Sequence, residues 1–168
     1  MEAKSTRSRG FRRIPALLTF VLAMAVGLCA QSLQVTRGDG TSATLTAAQI
    51  IALPHVSVNV KDHDTPAQFE GVPLSAVLAL AGVQLGNSMR GPRLAEALLV
   101  EAADGYKVVF ALAEIDPDFA TREILLADKR EGKPLDEKQG PWRIVAPGDK
   151  RPARWIRQVT TFKIVAVK

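Results

Sequence analysis

Apolar and polar residues alternate along several short stretches of this chain, and a period of two is typical of β-strands with one buried face. Val56, Val58 and Val60, for example, would share one face of a strand. Ala103-Asp104-Gly105 separates two such stretches, and its Asp-Gly step predicts a hairpin. Alternation and short apolar runs together predict strands at residues 33–37, 56–60, 98–101, 106–111, 124–127, 142–146 and 159–167.

Helical spacing is rarer than strand spacing. Leu74, Val77, Leu78 and Ala81 recur at intervals of three and four residues, and Gly82 follows as a terminator. Shorter helices are predicted at residues 46–52 and 112–115, and polar loops at residues 61–66 and 129–139. Many short strands with few helices, in no regular alternation, predict a compact α+β domain with a mixed sheet. The pattern does not fix the order of the strands.

Residues 1–30 have the pattern of a secretory signal. Basic residues lie between Lys4 and Arg13, an uncharged apolar run covers Ile14 to Leu28, and the small residue Ala30 follows. The run is shorter than the roughly 20 apolar residues that span a bilayer. We therefore predict a signal peptide at residues 1–30 and a single domain at residues 31–168. The expected location is periplasmic or secreted, with no membrane association after cleavage.

The leader also has other interpretations. An uncleaved anchor is the main alternative. Lipidation of Cys29 is weaker, because Leu28 stands where a lipoprotein signal has a small residue. The Arg12-Arg13 pair suggests a twin-arginine signal, but its flanking residues are poor for one. Cleavage at Ala30 would leave no cysteine, which excludes disulfides, Cys-zinc sites and thiol nucleophiles.

The net charge of +5 is mostly a property of this leader. Residues 31–168 contain 17 Lys and Arg against 16 Asp and Glu, so global charge does not support nucleic-acid binding. The charge is segregated, with 6 basic and 12 acidic residues in 31–128, and 11 basic and 4 acidic residues in 129–168. Such a distribution allows a local anion site. Packing of a basic tail near acidic loops explains it equally well.

Few clusters in the sequence offer catalytic or metal-binding chemistry. Asp62-His63-Asp64 combines an imidazole with two carboxylates, but neighbours in an extended loop point in different directions. We interpret this segment as a solvated loop in which His63 alone could contact a ligand. The sequence has neither a serine in a nucleophile elbow nor a Gly-rich phosphate loop. No catalytic and no metal-ligating residue is predicted.

The stretch "VAPGDKRPARWIRQV" (145–159) is the best candidate for ligand binding. It contains Lys150, Arg151 and Arg154 after a Pro147-Gly148 turn. Arginine forks bind phosphate oxygens bidentately, and lysine adds a point charge. A turn of this kind can also direct backbone N–H groups at an anion. The alternative is a basic surface turn whose tryptophan is buried.

Four stretches resemble one known family in order and spacing. They are "FEGVPLSAVLALAGV" (69–83), "EAADGYKVVFALAEIDP" (101–117), "ILLADKREGKPL" (124–135) and "GPWRIVAPGDKRPARWIRQV" (140–159). Together they resemble the sulfite-oxidase-like, oxidoreductase molybdopterin-binding domain family, over roughly residues 45–167, and its short exported members most of all. The resemblance implies a compact α+β fold that holds a molybdenum-pterin cofactor.

The resemblance also implies which residues bind the cofactor. Arg143 in "GPWRIVAPG" matches a ligand-side arginine of the family. Lys150, Arg151 and Arg154 fall in the segment that approaches the pterin phosphate. His63 lies in the loop near which active members place their metal-ligating cysteine. Molybdopterin is therefore the cofactor to expect by resemblance.

The sequence departs from the active family members at the metal ligand. No cysteine occurs between Gln31 and Lys168, although a soft thiolate is what the family uses to hold its metal. We therefore expect an exported protein that binds an anionic or pterin-type small molecule, or an accessory protein with a periplasmic partner, and a pseudoenzyme in either case. Two alternatives stay open: an active oxidoreductase with a Cys-free cofactor site, and an interaction module that uses a sheet edge. The sequence does not decide whether the protein is an enzyme.

Overall fold

The protein is described here by a computed structural model covering residues 31–166. Its strands are β1 Ser32–Thr36, β2 Ser42–Thr46, β3 Val56–Asp62, β4 Thr65–Pro73, β5 Glu96–Ala102, β6 Lys107–Ala111, β7 Leu125–Arg130, β8 Lys133–Pro134, β9 Arg143–Val145 and β10 Val159–Ala166. They form two sheets. One has the order β2-β1-β10-β5-β6, and the other β3-β4-β7-β8 with β9 also paired to β7.

The first sheet joins the two ends of the described chain. Strand β1 pairs in parallel with β10, and its other neighbour, β2, is antiparallel. The predicted hairpin is confirmed, because β5 and β6 pair antiparallel around Asp104 and Gly105. Gly105 has a φ of 84°, and the Asp104 carboxylate accepts a hydrogen bond from the Tyr106 N–H at 2.9 Å. The turn residues therefore adopt the conformations for which Asp and Gly are suited.

The second sheet corrects two loop predictions. Residues 61–66 are the tight end of the β3–β4 hairpin, where only His63 and Asp64 are unpaired and both have positive φ. Two consecutive residues with positive φ are typical of the type I′ turn. Residues 129–139 likewise begin as strand, since β7 continues to Arg130 and turns through Glu131-Gly132 into β8. In both segments the local hairpin geometry outweighs the polar composition.

The three predicted helices are confirmed as α1 Ala47–Ile51, α2 Leu74–Leu80 and α3 Leu112–Ile115. Thr46 caps α1 through a reciprocal pair of hydrogen bonds with Gln49. Gly82 follows α2 with a φ of 81°, a left-handed conformation that favours glycine. Short 3₁₀ turns lie at Gly86–Ser88, Gly91–Ala95 and Pro152–Arg154.

One hydrophobic core lies between these elements and contains residues of both sheets. The aromatic side chains of Phe69, Phe110, Phe162, Trp142 and Trp155 are all buried in it. A mixed first sheet, an antiparallel second sheet and few helices confirm the α+β fold class. Within residues 31–166, no helix has the length and apolar character that crossing a bilayer requires.

Candidate functional site

A buried ion pair connects the end of β3 to β9. Arg143 is 1% exposed and donates to the Asp62 carboxylate at 3.3 Å and to the Gln139 side-chain oxygen at 2.6 Å. Asp62, 6% exposed, also pairs with Arg130 at 3.4 Å. Burial lowers the pKa of the Arg143 guanidinium, and the attraction of Asp62 opposes this effect. The pair is therefore enclosed by the fold.

Aromatic rings surround the same arginine. The Arg143 guanidinium carbon lies 4.8 Å from the centre of the Phe69 ring and 5.9 Å from that of Trp155. These two rings meet edge to face with centroids 6.2 Å apart. Trp155 also donates its indole N–H to the Ala146 carbonyl at 3.1 Å. Arg143 thus packs behind Trp155, within cation–π distance of both rings.

Trp155, although 4% exposed, is one of the residues that line a groove of about 880 Å³. The other lining residues belong to Val58–Lys61 of β3 and to the segments 117–123 and 147–150. We call this cavity the cationic groove, because Lys61, Arg122 and Lys150 line it. Within residues 31–166, none of these three side chains takes part in a salt bridge. The cations are therefore available to an anionic ligand.

The carboxylates of the groove do not neutralise its three cations. Only Glu123 and Asp149 line it beside them. Asp149 is already engaged, because both of its oxygens accept from the Arg154 guanidinium, at 2.6 and 3.0 Å. The local charge of the groove is consequently positive, although residues 31–168 as a whole are nearly neutral.

Arg154 is paired with carboxylates of the protein itself and lies outside the cationic groove. Besides Asp149 it pairs with Glu114 at 3.1 Å, and its guanidinium lies 4.5 Å from the centre of the Phe110 ring. Its hydrogen bonds to Asp149 are the main cause of a raised pKa. Arg154 lines a neighbouring cavity of about 640 Å³ and is absent from the lining of the cationic groove. Its donors are largely used within the fold.

The structure does not bring the five residues predicted to bind a cofactor into one site. Lys150 lines the cationic groove, whereas Arg143 is buried behind Trp155 and Arg154 faces the neighbouring cavity. His63 is 72% exposed at the tip of the β3–β4 hairpin, and Arg151 is exposed outside the groove. Cofactor binding by these residues stays a prediction, and the geometry favours Lys150 among them.

Sequence reasoning did not find Lys61 and Arg122 or the buried role of Asp62. One signal was present for Asp62: the alternation of Val56, Val58 and Val60, continued by two residues, places its carboxylate on the buried face. The same alternation directs Lys61 to the opposite face. No local signal marks Arg122, which reaches the groove from a loop and donates to the Pro147 carbonyl at 3.4 Å.

The residues suit an anion better than they suit a metal. Among residues 31–166, no group of three or more His, Cys, Asp or Glu side chains has a metal-binding arrangement. A lysine pair with an arginine instead provides the charge-assisted donors that phosphate oxygens accept. Fold and site together define an α+β domain with a cationic groove bordered by an edge strand.

Sequence comparison assigns this domain to a family. The family model described as "Oxidoreductase molybdopterin binding domain" matches residues 54–166, and the chain belongs to that family. The match contains β3 to β10 and every residue that lines the cationic groove. It confirms the family resemblance noted in the sequence. The chain has no match among the curated proteins.

A solved structure shares the fold. The crystal structure of the sulfane dehydrogenase SoxCD from Paracoccus pantotrophus superposes with a TM-score of 0.61 and is 21% identical in sequence. The match covers 82% of this chain and 39% of that chain. At this identity the likeness shows the fold alone. This chain spans less than half the length of the SoxCD chain that it matches.

Proposed function

We propose that this protein uses the cationic groove to bind a phosphate-bearing, pterin-type ligand, and acts as a ligand-binding or accessory protein. The observation that carries the proposal is the convergence of Lys61, Arg122 and Lys150 on one groove, none of them in a salt bridge within the described residues. Cations suit the phosphate of such a ligand. The family's description as a molybdopterin-binding domain supports the choice of heterocycle.

The residues that line the groove fit the phosphate of a molybdopterin cofactor and do not fit its metal. Lys61, Arg122 and Lys150 would hold its phosphate. The groove lining contains no cysteine, and Cys29, the only one in the sequence, lies outside the described residues. Because a soft thiolate is the ligand expected for the metal, we do not assign oxygen-atom transfer to this chain.

Binding of a pterin phosphate tests the role of the cations. We expect neopterin monophosphate to bind more tightly than unphosphorylated neopterin, with an affinity that falls as salt is added. Lys150→Ala should weaken the phosphate form about tenfold, the equivalent of one lost charge-assisted hydrogen bond, and leave neopterin itself unaffected. Isothermal titration calorimetry at two salt concentrations measures both effects.

Arg151→Ala is the matched control for this experiment. Arg151 is the next residue along the chain and carries the same charge, but it lies outside the groove. Its substitution should change the affinity by about twofold or less, since exposed charges contribute little. An equal loss in both variants would contradict the proposal, because it would show a general effect of charge.

The expectation that this chain holds no molybdenum has a separate test. Protein purified from its native compartment should contain far less than one molybdenum atom per chain, measured by elemental analysis. Acid oxidation followed by fluorescence would detect any pterin that is bound. Stoichiometric molybdenum would overturn the proposal in favour of an active oxidoreductase with a Cys-free site.

We also propose that the domain functions in the periplasm or outside the cell after cleavage at Ala30. Cleavage at Ala30 would keep Gln31, whose carbonyl accepts a hydrogen bond from the Ala47 N–H at 2.9 Å. N-terminal sequencing of the protein from its producing cells should therefore find Gln31 first. Retention of residues 1–30, or a lipid on Cys29, would contradict cleavage at this position.

A further inference from the structure

Strand β3 is the edge of the second sheet, and its free side borders the cationic groove. In the sheet it pairs with β4 alone. Residues Val58–Lys61 of this strand line the groove, so ligands in the groove meet the edge of the strand. The backbone groups on this side decide what the edge can bind.

The hydrogen-bond pattern of β4 shows which backbone groups those are. Gln68, opposite Asn59, directs its N–H to the Glu131 carboxylate at 2.8 Å and its carbonyl to the Glu131 N–H at 2.9 Å. Both bonds lead away from β3. Asn59 and Gln68 are therefore a non-hydrogen-bonded pair, and the N–H and C=O of Asn59 point to the free edge.

The register of β3 and β4 is continuous, so the same orientation recurs two residues away in each direction. Ser57 and Lys61 therefore also present their N–H and C=O groups at the edge. Pro66, which has no N–H, is the partner of Lys61 and fits this pattern. Among residues 31–166, no hydrogen bond joins these outward groups to another residue.

An edge of this kind pairs with an extended polypeptide. Alternating donors and acceptors along three outward residues give main-chain affinity, and side pockets give specificity. The side chains that border this edge are cationic, because Lys61, Arg122 and Lys150 line the groove. Their charge disfavours basic segments and favours acidic ones.

We propose that β3 is a docking edge for an extended, acidic segment of a partner protein, which adds a strand to the second sheet within the cationic groove. This proposal goes beyond ligand binding, because it depends on the backbone of β3. Since both occupants use the same cations, a bound pterin phosphate should compete with the segment. The residue that tests the edge without changing the cations is Asn59.

Selection from a library of random heptapeptides displayed on phage identifies the preferred sequence. We expect selected peptides to be enriched in Asp, Glu and β-branched residues and poor in Pro, which cannot complete a strand ladder. On binding, the amides of Ser57, Asn59 and Lys61 should become protected from hydrogen exchange. Failure to select any peptide, selection of basic peptides, or unchanged exchange at these amides would overturn the proposal.

Asn59→Pro and Asn59→Ala form a matched pair for this edge. The proline removes one outward N–H and places its ring on the free side, while the bonds between β3 and β4 remain. We expect Asn59→Pro to weaken a selected peptide about tenfold or more, and Asn59→Ala to weaken it by about threefold or less. Equal affinities for the two variants would contradict backbone pairing.

Two further measurements distinguish peptide docking from ligand binding in the groove and from self-association. Ser57→Pro tests the edge without changing the groove, because Ser57 presents its N–H at the same edge and does not line the groove. This variant should weaken peptide binding and bind neopterin monophosphate as the unmodified protein does, so loss of peptide and loss of ligand have different signatures. Sedimentation at increasing concentration tests whether a second copy occupies the edge. A dimer that Asn59→Pro dissociates would replace the partner segment by self-association through β3.

Discussion

Arg143→Met is expected to lower the free energy of unfolding by about 3 kcal/mol, because it leaves the buried Asp62 carboxylate with one partner fewer. The side chains of Arg143 and Asp62 are 2% and 6% exposed, so water cannot take the place of the lost guanidinium. Arg130 still contacts Asp62 at 3.4 Å, which keeps the expected loss at the lower end for a broken buried pair. Urea unfolding followed by tryptophan fluorescence measures the change.

Two control variants identify the cause of this loss. Arg157→Met removes an exposed arginine whose charge acts on Arg143, and it should change stability by about 0.5 kcal/mol or less. Adding Asp62→Asn to Arg143→Met should recover part of the lost stability, since the uncompensated charge is then gone. If the double variant lost as much stability as the sum of the losses in Arg143→Met and Asp62→Asn, the two side chains would not be energetically coupled.

Gly71→Ala should lower the free energy of unfolding by about 3 kcal/mol or more, which is at least as much as Arg143→Met. Gly71 lies in β4 beside an irregularity in the pairing with β7. A Cβ atom at this position would overlap the Ala127 Cα atom and the Leu126 carbonyl oxygen, both of which belong to the backbone of β7. Relief would require the two central strands of the second sheet to separate. The midpoint of thermal unfolding measures this effect.

Gly38→Ala is the control for Gly71→Ala. A Cβ atom at Gly38 would lie 3.6 Å from the Ile164 side chain, an ordinary contact, and the residue does not have a positive φ. Its substitution should change stability by about 0.5 kcal/mol or less. If Gly71→Ala proved equally mild, β4 and β7 would not be as closely packed as described.

The local elements of the fold were largely predictable, because each depends on residues near it in the sequence. Thr46 and Gln49 form their capping box within one helical turn, and Asp104-Gly105 supports the β5–β6 turn. The two loops that proved to be hairpins were harder. Their turn residues, His63-Asp64 and Glu131-Gly132, are not the strongest turn formers, and their polar composition is equally typical of a loop.

The cationic residues show what local composition can predict about the site and what it cannot. Clustering in the sequence indicated Lys150, Arg151 and Arg154 together, because charge along a chain is easily counted. Their environments differ in space: Lys150 lines the groove, Arg151 is exposed outside it, and Arg154 is paired with Asp149 and Glu114. Whether a cation is available to a ligand depends on its partners, which long-range packing provides.

The sequence by itself determined the family, the α+β class and most elements, and it shows that residues 31–168 contain no cysteine. These features follow from local pattern, motifs and composition. Only the tertiary structure decided that Arg143 is enclosed with Asp62, and that Lys61, Arg122 and Lys150 meet in one groove. The physical reason is that β3, the segment 117–123 and the segment 147–150 are distant in sequence. Sheet pairing and the shared core bring them together, and no local pattern carries that information.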